Sequence, residues 1–494
     1  MKIGALLLGA VLITFLGLRI YDTQRGPPLA PWHSYIPQEL SAQALDRADW
    51  AGYLAHEKQI FEQLRQAVTQ RLPSSYQVPF NRYYEDSPVY PGRFVKDFNR
   101  SYILEPDGKP RGVVVLLHGL TDAPYSLRHV ADFYRARGFV AVVPRMPAHG
   151  TVPSALTVAR WELWTAATRL AVREAKRRSE SGAPLHLVGY SNGGALALIH
   201  ALDALGDPSL GRPDRIVLLS PMVGITPFAR FAGLAGLPAF LPAFAKAAWL
   251  DIVPEFNPFK YNSFPVNGAR QSHRLTRVLQ ERMTQYSREG RLDRLPPVLT
   301  FQSAVDFTVS ASAVVKGLYE QLPANGSELV LFDINRTLKI GPLLHASADG
   351  ALTRLLPAPP HTYRITTIAN ADETRADMIE RSIDAGETDV RIRPLAWRYP
   401  DGFYSLSHIA LPFPVTDGLY GTMPDPAENF GVRLGTLAPR GERNVLITSL
   451  DSLMRASSNP FFPYILERIG EGLREGPTTL SGVRKVDADA SATP

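Results

Sequence analysis

The chain has 494 residues, 45% hydrophobic and 20% charged, the balance of an ordinary folded protein with room for one large domain carrying insertions, or for two domains. It contains no cysteine, which excludes disulfides, thiolate metal sites, a cysteine nucleophile and a cysteine-linked lipid anchor. The net charge is +6, but Lys and Arg are scattered over helix surfaces, as at Arg173–Arg178, so no nucleic-acid partner is expected.

Residues Ile3 to Leu18 form an uncharged apolar run after Met1 and Lys2. Ile20 and Tyr21 can extend it, with Arg19 snorkelling. No small-x-small cleavage site follows, so residues 1–24 are expected to be an uncleaved membrane anchor, with a cleaved signal as the alternative. The expectation is a single-pass membrane protein whose body lies outside the cytoplasm, in the periplasm if the source is bacterial. Residues 25–80 read as a linker and N-terminal helix. Arg25 to Pro37 is Pro-rich and extended, and Ser41 to Leu72 is helical, with Trp50, Tyr53, Leu54 and Phe61 on one face. His33 and His56 there read as structural.

The main body is expected over 81–221 and 296–470. Tyr83 to Leu104 reads as two short strands around a turn at Tyr90–Gly92. Then come a buried strand at Arg111–Leu117, a helix over Ala123–Gly138, a strand at Phe139–Pro144 and a long amphipathic helix over Thr157–Arg178. A strand at Leu185 runs into a helix, and Arg215–Pro221 is a further strand. This alternation predicts an α/β fold with a mostly parallel sheet flanked by helices. Ligands in such sheets bind at the carboxyl ends of the strands.

Leu185 to Gly194, LHLVGYSNGG, carries Gly-x-Ser-x-Gly between a strand and a helix, the pattern of a nucleophile elbow. A serine on so sharp a turn has a strained backbone, and its crowded neighbours must lack a β-carbon. The helix that follows directs positive potential at the turn.

Residues 222–295 break the rhythm. FARFAGLAGLPAFLPAFAKAAWL is apolar almost all round, and a polar helix is expected at Arg274–Arg288. A lid or cap over the serine fits this insertion, with a buried pair of core helices as the alternative, since so apolar a stretch is not left uncovered without a ligand or membrane. Further on are a strand at Pro296–Asp306, a helix at Ala311–Leu322 and a strand at Glu328–Ile334. Asn335–Pro360 reads as loop and helix, Tyr363–Ile368 as a strand, Asp372–Asp384 as a helix and Asp389–Leu395 as a strand. Beyond Asn444 come a strand-like VLIT, a helix at Tyr464–Leu473 and a disordered tail over 471–494.

Acyl transfer by serine needs a base, an acid to orient it, and donors for the oxyanion. On an elbow of this kind the acid and then the histidine follow the serine in the chain. Ser191 is the candidate nucleophile. Asp306, just past a strand, is the candidate acid, ahead of Asp333 inside the next strand. Of eleven histidines only His345, His361 and His408 follow Asp306. His408, in the loop-like SLSH, is the preferred base and His345 the main alternative. The backbone N–H groups of Leu120 and Asn192 are the candidate oxyanion donors. His118 and His149 read as loop-shaping residues.

The chain resembles the α/β-hydrolase superfamily, particularly its lipase, esterase and monoacylglycerol-lipase-like branch. The matching pieces are LLHGLTDAPYSLR (Leu116–Arg128), RMPAHG (Arg145–Gly150, with Ala148 where the family has glycine), GYSNGG and SAVDFTV (Ser303–Val309). They span Gly112 to Val309. SLSH is similar to the family's approach to its base, with Leu406 and Ser407 departing from it. The resemblance implies hydrolysis of carboxylic esters, lipophilic acyl esters foremost, through an acyl-enzyme, with neither metal nor cofactor. Acyl transfer by the same triad and a non-catalytic lipid- or partner-binding role are the alternatives. The partners expected are a lipophilic ester or lipid substrate and the membrane. The sequence carries no signal for oligomeric state.

Overall fold

Runs such as GVVVLL and FVAVV are apolar at every position, so they belong in a sheet covered on both faces. The computed structural model describes residues 26–224, 242–306, 308–337, 351–400, 403, 405–436 and 457–474, with a few more between 9 and 21. Its strands are β1 (Tyr102–Leu104), β2 (Gly112–Leu117), β3 (Phe139–Val143), β4 (Leu185–Tyr190), β5 (Arg215–Leu219), β6 (Trp249–Asp251), β7 (Phe264–Pro265), β8 (Val298–Ser303), β9 (Glu328–Phe332), β10 (Arg364–Asp372), β11 (Arg375–Ile383) and β12 (Arg391–Arg398). Ten of them form one sheet in the order β1-β3-β2-β4-β5-β8-β9-β10-β11-β12, and β6 and β7 make a separate ribbon. From β3 to β10 every pairing is parallel. Antiparallel β1 closes one edge, and β11 and β12 extend the other.

The main helices are α1 (Trp50–Ala67), α2 (Arg128–Arg135), α3 (Trp161–Arg177), α4 (Asn192–Gly206), α5 (Val266–Arg288), α6 (Ala311–Gly317) and α7 (Phe462–Arg474). Alternate residues of β2 serve two cores. Val113, Val115 and Leu117 pack with residues of α3, α4 and α5, while Val114 and Leu116 pack with Val130 and Tyr134 of α2 and Ile465 and Ile469 of α7. The sheet is thus buried on both faces, and the carboxyl ends of β2, β4 and β8 are left to carry loops.

Several expectations change. Among the described residues no helix is long and apolar enough to cross a membrane. This overturns the single-pass anchor over residues 1–24, the membrane as a partner, and the localisation built on them. The run from Ile3 to Leu18 would rise only about 24 Å as a helix, short of a hydrocarbon core of roughly 30 Å. Residues 1–8, 11–12, 15–16, 19–20 and 22–25 of that segment lie outside the described residues.

Asp372–Asp384 is not a helix: β10 and β11 are a hairpin in which Asp372 pairs with Arg375. Asp372 Oδ1 accepts the Thr374 N–H at 2.8 Å and closes the turn. Ala376, Met378 and Glu380 favour a helix locally, but two ladders, to β10 and to β12, override that preference. Between Tyr83 and Leu104 only β1 is a strand, and Pro91–Arg93 is a 3-10 turn. Pro88 and Pro91 remove donors that a second strand would need. Helix α5 begins at Val266 rather than at Arg274. Residues 225–241, which hold most of the apolar stretch within the insertion, the VLIT segment and residues 475–494 lie outside the described residues.

Candidate active site

Ser191 stands between the end of β4 and the first turn of α4, with φ 52° and ψ −116°. A residue with a β-carbon adopts such a backbone at a cost of about 1–3 kcal/mol, so its surroundings must enforce it. Three hydrogen bonds do so. Ser191 N–H donates to the Leu219 carbonyl at 3.0 Å, and the Ser191 carbonyl accepts from Gly194 and Met222, each at 2.9 Å. The glycines are sterically required. A β-carbon on Gly189 would lie 2.5 Å from the Gly193 oxygen, and one on Gly193 would lie 1.9 Å from the Leu117 oxygen.

Asp306 follows β8. Its Oδ1 accepts the N–H groups of Thr308 at 2.8 Å and Val309 at 3.0 Å. Its Oδ2 accepts from Gln302 Nε2 and from His408 Nδ1, each at 3.0 Å. Burial by itself would raise this carboxyl's pKa, but the bonds from His408 and the two backbone N–H groups hold it below the ordinary range. Asp333 is engaged elsewhere, with Arg336 at 2.8 Å and the Ile334 N–H at 2.8 Å.

His408 opens a short 3-10 turn, His408–Ala410, and is buried. Its ring stacks on Tyr190 with centroids 5.4 Å apart and 27° between planes. Tyr190 directly precedes Ser191, so this stack sets the imidazole beside the elbow. A proton on Nδ1, facing the carboxylate, leaves Nε2 free to accept one. Of the other candidate bases, His361 is not brought to this place. His361 stacks on Tyr363 at the amino end of β10, and since the strands are parallel that is the opposite end of the sheet from Ser191. His345 lies outside the described residues.

The loop after β2 runs beside the serine: a β-carbon on Gly119 would stand 3.3 Å from Ser191 Cβ. His118 shapes this loop. Its Nδ1–H donates to the Gly119 carbonyl at 2.9 Å, and its Nε2 accepts the Met146 N–H at 2.9 Å. Burial holds its pKa well below the ordinary value, so the ring is neutral. Asn192 is the first residue of α4, where backbone N–H groups have no partner inside the helix. The Ser272 hydroxyl of α5 donates to Asn192 Oδ1 at 3.3 Å. Among the described residues, no group of three His, Asp or Glu side chains that could hold a metal ion is present.

Three contributors escape a reading of the sequence. Gln302 reaches the acid from within β8, Tyr190 carries the histidine ring, and Tyr261 donates its N–H to the Thr121 carbonyl at 2.8 Å. Only Tyr190 has a sequence signal, its place inside the Gly-x-Ser motif.

A mostly parallel sheet with a strained serine between its central strand and the next helix defines an α/β-hydrolase. Residues 108–334, just under half of the chain, match the family model described as Serine aminopeptidase, S33. A thermostable monoacylglycerol lipase of Bacillus sp. (strain H-257) is 28% identical over 213 residues, 42% of this chain and 76% of that one. Among solved structures, that of the metagenome-derived lipolytic enzymes LipS and LipT is 22% identical, covering 49% of this chain and 90% of the other, with a TM-score of 0.37. A soluble variant of the monoglyceride lipase of Saccharomyces cerevisiae is 16% identical, covering 47% and 81%, with a TM-score of 0.36. Overlaps this loose add nothing to the topology described above. Residues 108–334 thus have an α/β-hydrolase fold and are similar to hydrolases of the lipase and esterase kind.

Proposed function

We propose that the protein hydrolyses carboxylic esters through an acyl-enzyme on Ser191. His408 Nε2 takes the Ser191 proton as Oγ bonds to the ester carbon, and the carbonyl electron pair moves onto oxygen. The N–H groups of Leu120 and Asn192 hold that oxyanion, assisted by the amino end of α4. The intermediate collapses, and the alcohol leaves with the proton from His408. Water then repeats the sequence and releases the acid. Asp306 keeps the imidazole oriented and stabilises its cationic form.

The observation that carries this reading is the 3.0 Å contact between Asp306 Oδ2 and His408 Nδ1, made beside the elbow by residues far apart in the chain. Lipophilic acyl esters are the substrate class, with the related monoacylglycerol lipase and the apolar insertion in support. The insertion, residues 222–295, acts as a cap: its Ser272 touches Asn192 and its Tyr261 holds Thr121. Ser191→Ala is expected to abolish both ester turnover and labelling by a fluorophosphonate. Turnover rising with acyl-chain length across an ester panel supports the substrate class. Parental activity in Ser191→Ala removes the mechanism.

A further inference from the structure

The turn at Met146–Gly150 has to be held in place. Ala148 sits at φ 68°, a backbone that glycine takes freely and alanine takes only when constrained. Two groups constrain it. Glu39 Oε1 accepts the Ala148 N–H at 2.7 Å, and the Tyr261 hydroxyl donates to the Ala148 carbonyl at 3.1 Å. Glu39 also grips the residue that leads into the turn, with Arg145 Nη1 2.7 Å from Oε1 and Nη2 3.0 Å from Oε2. Arg145 is fully buried, and its Nε donates to Glu57 Oε2 at 3.1 Å. Both carboxylates precede residue 108, so they come from outside the stretch that matches the family.

From this turn a short path leads to the loop beside the serine. The Met146 N–H donates to His118 Nε2, which turns the Nδ1–H of that neutral ring onto the Gly119 carbonyl. The Gly119 carbonyl and the Leu120 N–H belong to one planar peptide group, so fixing the oxygen fixes the direction of the N–H. A second path reaches the far side of Leu120. Tyr261, bonded to Ala148 through its hydroxyl, holds the Thr121 carbonyl through its own N–H.

We infer that Glu39 is a positioning residue for the oxyanion donor. It holds the Ala148 turn so that the Gly119–Leu120 peptide presents its N–H to the substrate oxygen. This rests on the serine-hydrolase reading above. An oxyanion donor acts on the transition state far more than on bound substrate. Loss of Glu39 therefore lowers kcat with KM little changed, whereas a carboxylate that merely supports the fold lowers stability and leaves each folded molecule's turnover alone.

The test is Glu39→Ala and Glu39→Gln in the full chain, with turnover counted per fluorophosphonate-labelled site so that unfolded protein drops out. A trifluoromethyl ketone ester analogue supplies the second readout, since its adduct with Ser191 places an oxyanion at the same donors. Glu39→Ala is expected to lose roughly tenfold in kcat per labelled site, with KM within about twofold and the ketone weakened by the same factor as kcat/KM. Glu39→Gln keeps an acceptor for the Ala148 N–H and is expected to retain more. Glu39→Ala combined with Ala148→Gly, which removes the need to constrain the turn, is expected to regain turnover. Parental turnover per labelled site and parental ketone affinity in Glu39→Ala overturn the inference, whatever the melting temperature does. If that variant does not fold, Glu39→Met, which fills the same space but offers the Ala148 N–H no oxygen, decides by the same two numbers. A parent protein that is not labelled at Ser191 overturns the hydrolase reading and this inference with it, and so separates the two failures.

Discussion

The N-terminal segment and the segment after residue 403 are both fastened to the hydrolase core by buried charge, yet they hold different kinds of part. In the first, Glu39 and Glu57 close on Arg145. In the second, Asp417 and Glu428 close on Arg128, with Nη2–Oδ2 2.9 Å and Nη1–Oε1 2.5 Å. Asp417 is fully buried and also accepts from His129 at 2.8 Å and from the Tyr125 hydroxyl at 2.9 Å. The core partners follow β2 and β3 directly: Arg145 lies in the loop after β3, and Tyr125, Arg128 and His129 lie between the end of β2 and the first turn of α2. The C-terminal segment delivers a side chain, His408. The described part of the N-terminal segment instead holds a backbone turn, through Glu39 and the Ala148 N–H. Removing a buried partner is costly in either place, on the order of 3–5 kcal/mol, because the remaining arginine is left under-neutralised. The consequences for chemistry should differ, since a whole imidazole is at stake on one side and the tilt of a peptide on the other.

The hardest blow to this contrast is His408→Ala. It is expected to lower kcat by roughly 10⁴-fold or more in protein with the parental circular dichroism spectrum. Parental turnover in that variant would hand the base's role to another residue and leave the C-terminal segment a purely structural one.

Asp417→Asn is the next largest, and it is expected to lower Tm and kcat together, by more than Glu39→Gln does. Its effect on stability should depend on pH. Burial alone would raise the Asp417 pKa, but His129, Arg128 and the Tyr420 N–H outweigh burial and hold it far below the ordinary carboxylate range. A group whose pKa is depressed on folding stabilises the protein above its unfolded value, about 4, and loses that contribution as pH falls toward the folded value. The Tm gap between parent and Asp417→Asn should thus be full near neutrality and close below about pH 4. A gap that widens in acid would contradict the assigned charge state.

The smallest effect is expected from Gln302→Leu, which removes one of the donors on Asp306 Oδ2 and leaves the His408 contact in place. A loss of roughly threefold to tenfold in kcat, measured with Tm alongside, would show that the acid's orientation depends on more than its own loop. A loss as large as that of His408→Ala would mean that Gln302 has a direct part in the reaction.

Much of this was legible without a structure because it is local. The apolar runs of β2, β3, β4, β5 and β8 announced the sheet, and the elbow glycines announced a crowded turn. The regions that misled are those where neighbours along the chain disagree with neighbours in space. Helix-forming residues in β11 are held extended by the two strands beside them. The prolines around Tyr90 leave a 3-10 turn with no strand before it, where two short strands around a turn were expected. The apolar run near the N-terminus suggested a membrane span by composition, and no described helix has the length and apolarity of one.

By itself, then, the sequence determined the serine's setting. Which residues can carry a sharp turn, and which runs can be buried on both faces, are properties of contiguous side chains. Only the tertiary structure decided which histidine meets Asp306, because four strands, β9 to β12, intervene and the outcome depends on where they lead the chain. It alone tied Glu39 to the turn at Ala148, because no periodicity or spacing encodes a carboxylate meeting a backbone N–H more than a hundred residues away.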